Sequence, residues 1–239
     1  MLNFQYETIN CQLPVNSNNI SRTYTIVKCT FVNTGEQKLF VQQKALELAL
    51  AVNPAKANDA TNERGRETLI RDALGGVLAE FGWLDYINTI YGSIASFTLF
   101  DGSNGQIDII LSNSKTIEVR SSFPRNGIKF AVCNDKYNFR NICKYANFYK
   151  PTEVNKDFFA SVLFETQKNS ITTADSIVFY LIGGSTREMM NSTLCYEADL
   201  TAEDDLTEQK TKYKVIDLKN VLDINGFIYY MHTLGYIPK

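Results

Sequence analysis

Asp108, Glu118 and Arg120 are the residues whose types and spacing suit work on a phosphodiester. Asp108 lies inside the apolar run 105–111, Gly-Gln-Ile-Asp-Ile-Ile-Leu, and Glu118 and Arg120 lie inside 115–120, Lys-Thr-Ile-Glu-Val-Arg. Ser112-Asn113-Ser114 between them is turn chemistry. Strand alternation puts Glu118 and Arg120 on one face and Val119 on the other. If the two runs pair as a hairpin, Asp108 approaches Glu118. Two carboxylates brought together repel unless a cation sits between them. An acid, a second acid and a cationic side chain two residues later form the set that metal-assisted phosphodiester hydrolysis needs.

These residues must be positioned by the elements around them. Residues 62–83 read as an amphipathic helix, with Leu69, Ile70, Leu74, Val77, Leu78 and Phe81 at helical spacing. Thr61 or Asn62 can cap its start and Gly82 can end it. Strand-like runs follow at 94–100, 106–111 and 115–121, with a hairpin turn at 101–105 between the first two. Further strands are expected at 157–165, 175–182 and 213–217, with Gly183-Gly184 ending the second of these. Ser185 and Glu188 have capping-box spacing for a short helix. Residues 218–234 read as a closing helix with Gly226 inside it. Helix, three strands, connection, strands and helix predict an α/β protein, a three-layer sandwich around a mixed sheet.

The first 60 residues read as two strands (4–9 and 22–32), a helix (38–52) and a polar linker at 53–62. They form either an N-terminal appendage to a core of 61–239, suited to dimerisation or DNA contact, or extra strands added to the main sheet. Residues 198–212 are polar and acidic and read as an exposed loop.

The motif residues resemble those of the PD-(D/E)XK nuclease superfamily, which includes many restriction endonucleases and the archaeal Holliday-junction resolvases. The resemblance places Asp108 as the first acid, Glu118 as the second and Arg120 where that superfamily usually has Lys. It implies a restriction-endonuclease-like α/β/α sandwich. It also implies a metal-dependent DNA endonuclease of restriction or mobile-element type, using Mg2+ or Mn2+. Asp108 and Glu118 would hold the metal, helped by the Ile117 or Val119 carbonyl. The superfamily carries another acid on the helix before these strands. The Arg-Gly-Arg-Glu opening of 64–67 resembles the first helix of the resolvases, which makes Glu67 the third acid and Glu63, one turn earlier, its substitute. The alternative is that both are ordinary first-turn acids favoured by the helix dipole. Two departures stand out: Ile107 precedes Asp108 where Pro is common, and Arg120 stays protonated, so it can clamp a phosphate but not act as a base.

Arg125 and Lys129 follow the motif closely. Residues 136–151 then interleave Lys136, Arg140 and Lys144 with Tyr137, Phe139, Tyr145, Phe148 and Tyr149. Cations meet phosphates while rings stack, so these basic residues, with Ser121, are the expected DNA contacts. At helical spacing the rings can instead be core, with the lysines solvated.

The formal net charge of −2 is not that of a dedicated non-specific DNA binder, though a local basic cleft is compatible with it. Hydrophobic residues make up 44% and charged residues 21% of the 239, ordinary for a soluble globular chain. No run approaches the ~20 apolar residues of a membrane helix, and Met1–Glu7 has no secretory pattern, so the expectation is a cytoplasmic protein without a membrane partner. The five cysteines are widely spread and form no Cys-x-x-Cys pair, which predicts free thiols. His232 is the one histidine, far in sequence from the acids, so no serine or cysteine nucleophile has a base. There is no phosphate-binding Gly-x-x-x-x-Gly-Lys loop, and Gly183-Gly-Ser185 is at best a weak anion site. Cutting both strands takes two sites, which makes a homodimer plausible. Two other readings stand beside the nuclease: a nuclease-fold module that binds nucleic acid or a protein without cutting, and an α/β domain whose acids are paired structurally.

Overall fold

The computed structural model describes residues 2–11, 22–51, 65–98, 106–134, 139–146, 153–200 and 211–239. Its centre is a seven-stranded mixed sheet in the order β1-β2-β8-β7-β5-β4-β3. The strands are β1 Asn3–Cys11, β2 Arg22–Val32, β3 Ala95–Phe97, β4 Ile109–Leu111, β5 Thr116–Ser122, β7 Phe158–Phe164 and β8 Ser176–Thr186. All neighbours are antiparallel except β5 and β7, which run parallel from Ile117↔Phe158 to Ser122↔Leu163. A second, antiparallel sheet has the order β6-β10-β9, with β6 Arg140–Tyr145, β9 Tyr196–Leu200 and β10 Thr211–Asp217.

Both faces of the large sheet are covered, which is why every residue of β7 is buried and all but Ser161 are apolar. Phe158, Ala160, Val162 and Phe164 join one core with α1 Gly35–Ala51, α2 Arg66–Tyr91 and α5 Ile224–Thr233. Phe159 and Leu163 join the other, with α3 Gly127–Cys133, α4 Arg187–Met190 and the small sheet. The molecule is thus the layered α/β sandwich the element order predicts. One outer layer is built as much from the second sheet as from helix. Among the described residues no helix is long and apolar enough to cross a membrane.

Of the two roles open to the first 60 residues, their strands take the second. β2 pairs with β8 from Val27↔Leu181 to Val32↔Ser176, and Val41 and Ala45 of α1 lie in the main core.

Several sequence expectations are corrected. α2 does not stop at Gly82 but runs to Tyr91, where Gly92 at φ 85° closes it with its N–H on the Asn88 carbonyl. Gly82 is needed for close packing, since a Cβ there would stand 2.5 Å from the Phe179 ring. Gly183 and Gly184 lie inside β8 rather than ending it. Thr186, not Ser185, caps α4, its hydroxyl accepting from Met189 N–H at 3.3 Å. The closing helix begins only at Ile224, where Asp223 Oδ1 accepts from Gly226 N–H at 2.9 Å. Residues 140–145 form a strand, not a helix.

The cysteines also differ from expectation. Cys11 and Cys133 form a disulfide that ties the end of β1 to the end of α3, while Cys29, Cys143 and Cys195 are free. Disulfides persist in oxidising surroundings, so the bridge and a cytoplasmic location pull against each other.

Candidate functional site

The expected hairpin is present. Leu111 N–H donates to the Lys115 carbonyl at 2.8 Å, and Ser114 takes φ 65° in the turn. The β4–β5 ladder ends at Ile109↔Ile117, and beyond it the strands part. Asp108 stands at this fork. Its Oδ2 takes the place of a ladder carbonyl and accepts from Val119 N–H at 2.7 Å, which fixes the carboxylate against β5.

Glu118 and Arg120 share the face opposite Val119, as alternation requires, and they are ion-paired. Arg120 Nη2 lies 2.7 Å from Glu118 Oε1 and 3.5 Å from Glu153 Oε1. Lys156 is 1% exposed. Its Nζ lies 3.2 Å from Glu118 Oε2 and 3.2 Å from Glu153 Oε1. Glu153 and Lys156 come from the segment leading into β7, which the parallel β5–β7 pairing brings alongside the motif. Beneath them Asn141 Nδ2 donates to the Phe159 carbonyl at 3.0 Å and to Ser161, the register partner of Arg120, while Ser185 donates to Asn141 Oδ1. This buried polar layer anchors the small sheet under the charged cluster.

The helix acid at the site is Glu80, not Glu67. Glu67 is exposed in the first turn of α2, where its carbonyl accepts from Arg71 Nε at 3.4 Å. Thirteen residues on, roughly 20 Å along the helix axis, Glu80 is half-buried and close enough to Asp108 and Glu118 to feel both charges. Glu63 lies outside the described residues. The signal for Glu80 was a carboxylate inside the stripe formed by Val77, Leu78 and Phe81. For Lys156 and Glu153 it was an i,i+3 charge pair just ahead of a fully buried strand.

The electrostatics separate two kinds of acid. Glu118 and Glu153 face Arg120 and Lys156. Among the described residues, neither Asp108 nor Glu80 has a cation within salt-bridge distance. Burial, then the Glu118 charge, push Asp108 up to about 7, against the Val119 N–H and the cations Arg120 and Lys156. Burial, then Asp108 and Glu118, raise Glu80 well above the usual carboxylate range, opposed by Lys44 of α1. A hard divalent cation taking one oxygen from each would relieve both. Among the described residues no three acids already stand as a metal cage. Two carboxylates completed by waters and a substrate phosphate are the donor set Mg2+ prefers.

The other expected contacts disperse. Ser121 lies on the Val119 side of β5, so Ser122 rather than Ser121 shares the face of Glu118. Arg125 is exposed in the turn after β5 and Lys129 is exposed on α3. Arg140 Nε donates to Tyr196 Oη at 3.0 Å within the small sheet. Lys144 Nζ donates to Asn155 Oδ1 at 3.1 Å. Lys136 lies outside the described residues. Compared with known proteins, the chain matches no family model, no curated protein and no solved structure.

Proposed function

We propose that this protein is a divalent-metal-dependent DNA endonuclease. The observation that carries the reading is the buried Asp108, held against β5 by the Val119 N–H beside the ion-paired Glu118, with Glu80 near enough to feel both charges; among the described residues neither Asp108 nor Glu80 has a cation within salt-bridge distance. The order α2-β3-β4-β5-α3-β6-β7, with β6 leaving for the small sheet and β5 and β7 parallel, supports a restriction-endonuclease-like core. Asp108 and Glu80 would hold Mg2+ or Mn2+, which supplies Lewis acidity at the phosphate and lowers the pKa of an attacking water. Arg120, 24% exposed at its side chain and anchored by Glu118, is placed to clamp the scissile phosphate. Lys156 supplies the ammonium that position 120 lacks and would hold Glu118 in place to orient an attacking water.

A second reading is a nuclease-fold module that binds without cutting. It is favoured by the ion-pair network of Glu118, Arg120, Glu153 and Lys156, in which two acids face two cations. The deciding experiment is Mg2+- and Mn2+-dependent cleavage of plasmid and short duplex DNA. The nuclease reading expects cleavage that is lost in Asp108→Ala and in Glu80→Ala. Cleavage retained in Asp108→Ala overturns it; DNA binding without cleavage by the wild type selects the module.

A further inference from the structure

α1 carries a feature that the metal chemistry does not use. Phe40 is 43% exposed, and its neighbour Leu39 is 67% exposed. The Phe40 ring centroid lies 6.3 Å from that of Phe81 on α2 and 6.3 Å from that of Phe97 on β3. One helical turn along, Lys44 holds its Nζ 4.1 Å from the Phe97 centroid and 5.4 Å from that of Phe40. The same ammonium is near enough to oppose the charge of Glu80. A lysine serving only solubility extends into water; this one is held over two rings.

We propose that Phe40, Phe97 and Lys44 form a contact site for an unpaired DNA strand, a base stacking on the rings while Lys44 meets a phosphate neighbouring the one at Asp108 and Glu80. The inference rests on the nuclease reading and adds the kind of substrate that it takes. An exposed ring, Phe40, with the half-buried Phe97 and a cation beside it matches a base joined to its phosphate. Bases within a duplex are already stacked on each other and cannot reach a ring face without leaving the helix. The site therefore favours frayed, flapped or single-stranded DNA near the cut.

The test is fluorescence anisotropy with the full chain in EDTA, using labelled oligothymidine and a blunt duplex of equal length. Phe40→Leu keeps apolar volume but removes the ring, and Lys44→Gln removes the charge. Each should weaken oligothymidine binding about tenfold and leave duplex binding nearly unchanged, with thermal midpoints close to wild type. Unchanged oligothymidine affinity in both variants, or equal losses on both DNAs, overturns the contact site and leaves the nuclease reading standing. A wild type that neither binds nor cuts any DNA overturns the nuclease reading itself.

Discussion

Lys156 Nζ lies 3.2 Å from Glu118 Oε2, so an ammonium beside the second acid comes from the segment ahead of β7 rather than from position 120. Removing it alone would leave two buried carboxylates sharing Arg120, and breaking a buried pair on one side costs about 3–5 kcal/mol. The informative variant is therefore Lys156→Met with Glu153→Gln, which removes one charge of each sign. We expect it to fold and to lose on the order of 10²- to 10³-fold in single-turnover cleavage. Arg120→Lys should retain more cleavage than this pair, because a lysine at 120 can still meet a phosphate.

Asp108 makes the metal-free protein less stable at neutral than at acid pH. Its carboxyl is raised from 3.8 to about 7 in the fold, mainly by burial and then by Glu118. The folded state thus holds a proton that the unfolded chain releases, and stability falls as pH rises between those two values. The full difference is on the order of 4 kcal/mol. The thermal midpoint in EDTA should drop from pH 4.5 to pH 8, and millimolar Mg2+ should restore it at pH 8. Asp108→Asn, which still offers an oxygen to Val119 N–H, should flatten the pH dependence and abolish the Mg2+ gain. A wild-type midpoint indifferent to both pH and Mg2+ would contradict the charge assignment.

Glu80 and Glu67 give a within-helix comparison. Glu80→Gln should raise the stability of the metal-free protein at pH 8, because burial and two carboxylates disfavour its charge. It should also weaken Mg2+ binding, read by calorimetry, about tenfold or more. Glu67→Gln, exposed and roughly 20 Å away along α2, should change neither.

The difference between these two acids shows what the sequence made legible. Alternation is local, so the hairpin, the shared face of Glu118 and Arg120 and the strands at 157–165 and 175–182 could be read from residue types in order. Helix existence was equally local, but which turn of α2 faces the fork depends on how far the helix runs beyond Gly82. That depends in turn on Phe179, about a hundred residues on. Lys156 reaches Glu118 only through the parallel β5–β7 register, and Cys11 reaches Cys133 only once β1 and α3 share the second core. Pairings set by tertiary topology leave no periodic trace. The basic-aromatic stretch left its periodicity undecided for a related reason: its alternation belongs to β6, whose inward residues Asn141 and Cys143 are committed to the core.

The Cys11–Cys133 bridge closes a sequence separation of 122 residues. Constraining so long a loop in the unfolded chain stabilises the fold by about 4–5 kcal/mol. Cys11→Ala with Cys133→Ala, or reduction of the wild type, should lower the urea midpoint accordingly. Dithiothreitol should then have no further effect on the double variant. A purified protein whose midpoint ignores dithiothreitol would show that the bridge does not form in solution.

Gly183 and Gly184 are required by backbone contact, not by an anion. Gly184 N–H donates to the Leu222 carbonyl at 2.9 Å, and Leu222 N–H returns to the Gly184 carbonyl at 2.8 Å, so the chain entering α5 lies directly on β8. Gly183 takes φ +112°, and a Cβ there would stand 2.0 Å from the Leu222 carbonyl oxygen. This is the stretch where Ser161↔Gly183 gives way to Val162↔Leu181 and β8 bulges. Gly183→Ala combines backbone strain with overpacking, each costing about 1–3 kcal/mol, and should lower the urea midpoint sharply or leave the protein insoluble. Gly76, inside α2 with nothing within 4 Å of where a methyl would stand, is the control of opposite sign. There Gly→Ala should stabilise by about 0.5–1 kcal/mol, through helix propensity alone. If both substitutions proved neutral, the packing of α5 against β8 would be looser than these contacts require, and the α5 side of the sheet could not rigidly support the β7 strand that delivers Lys156.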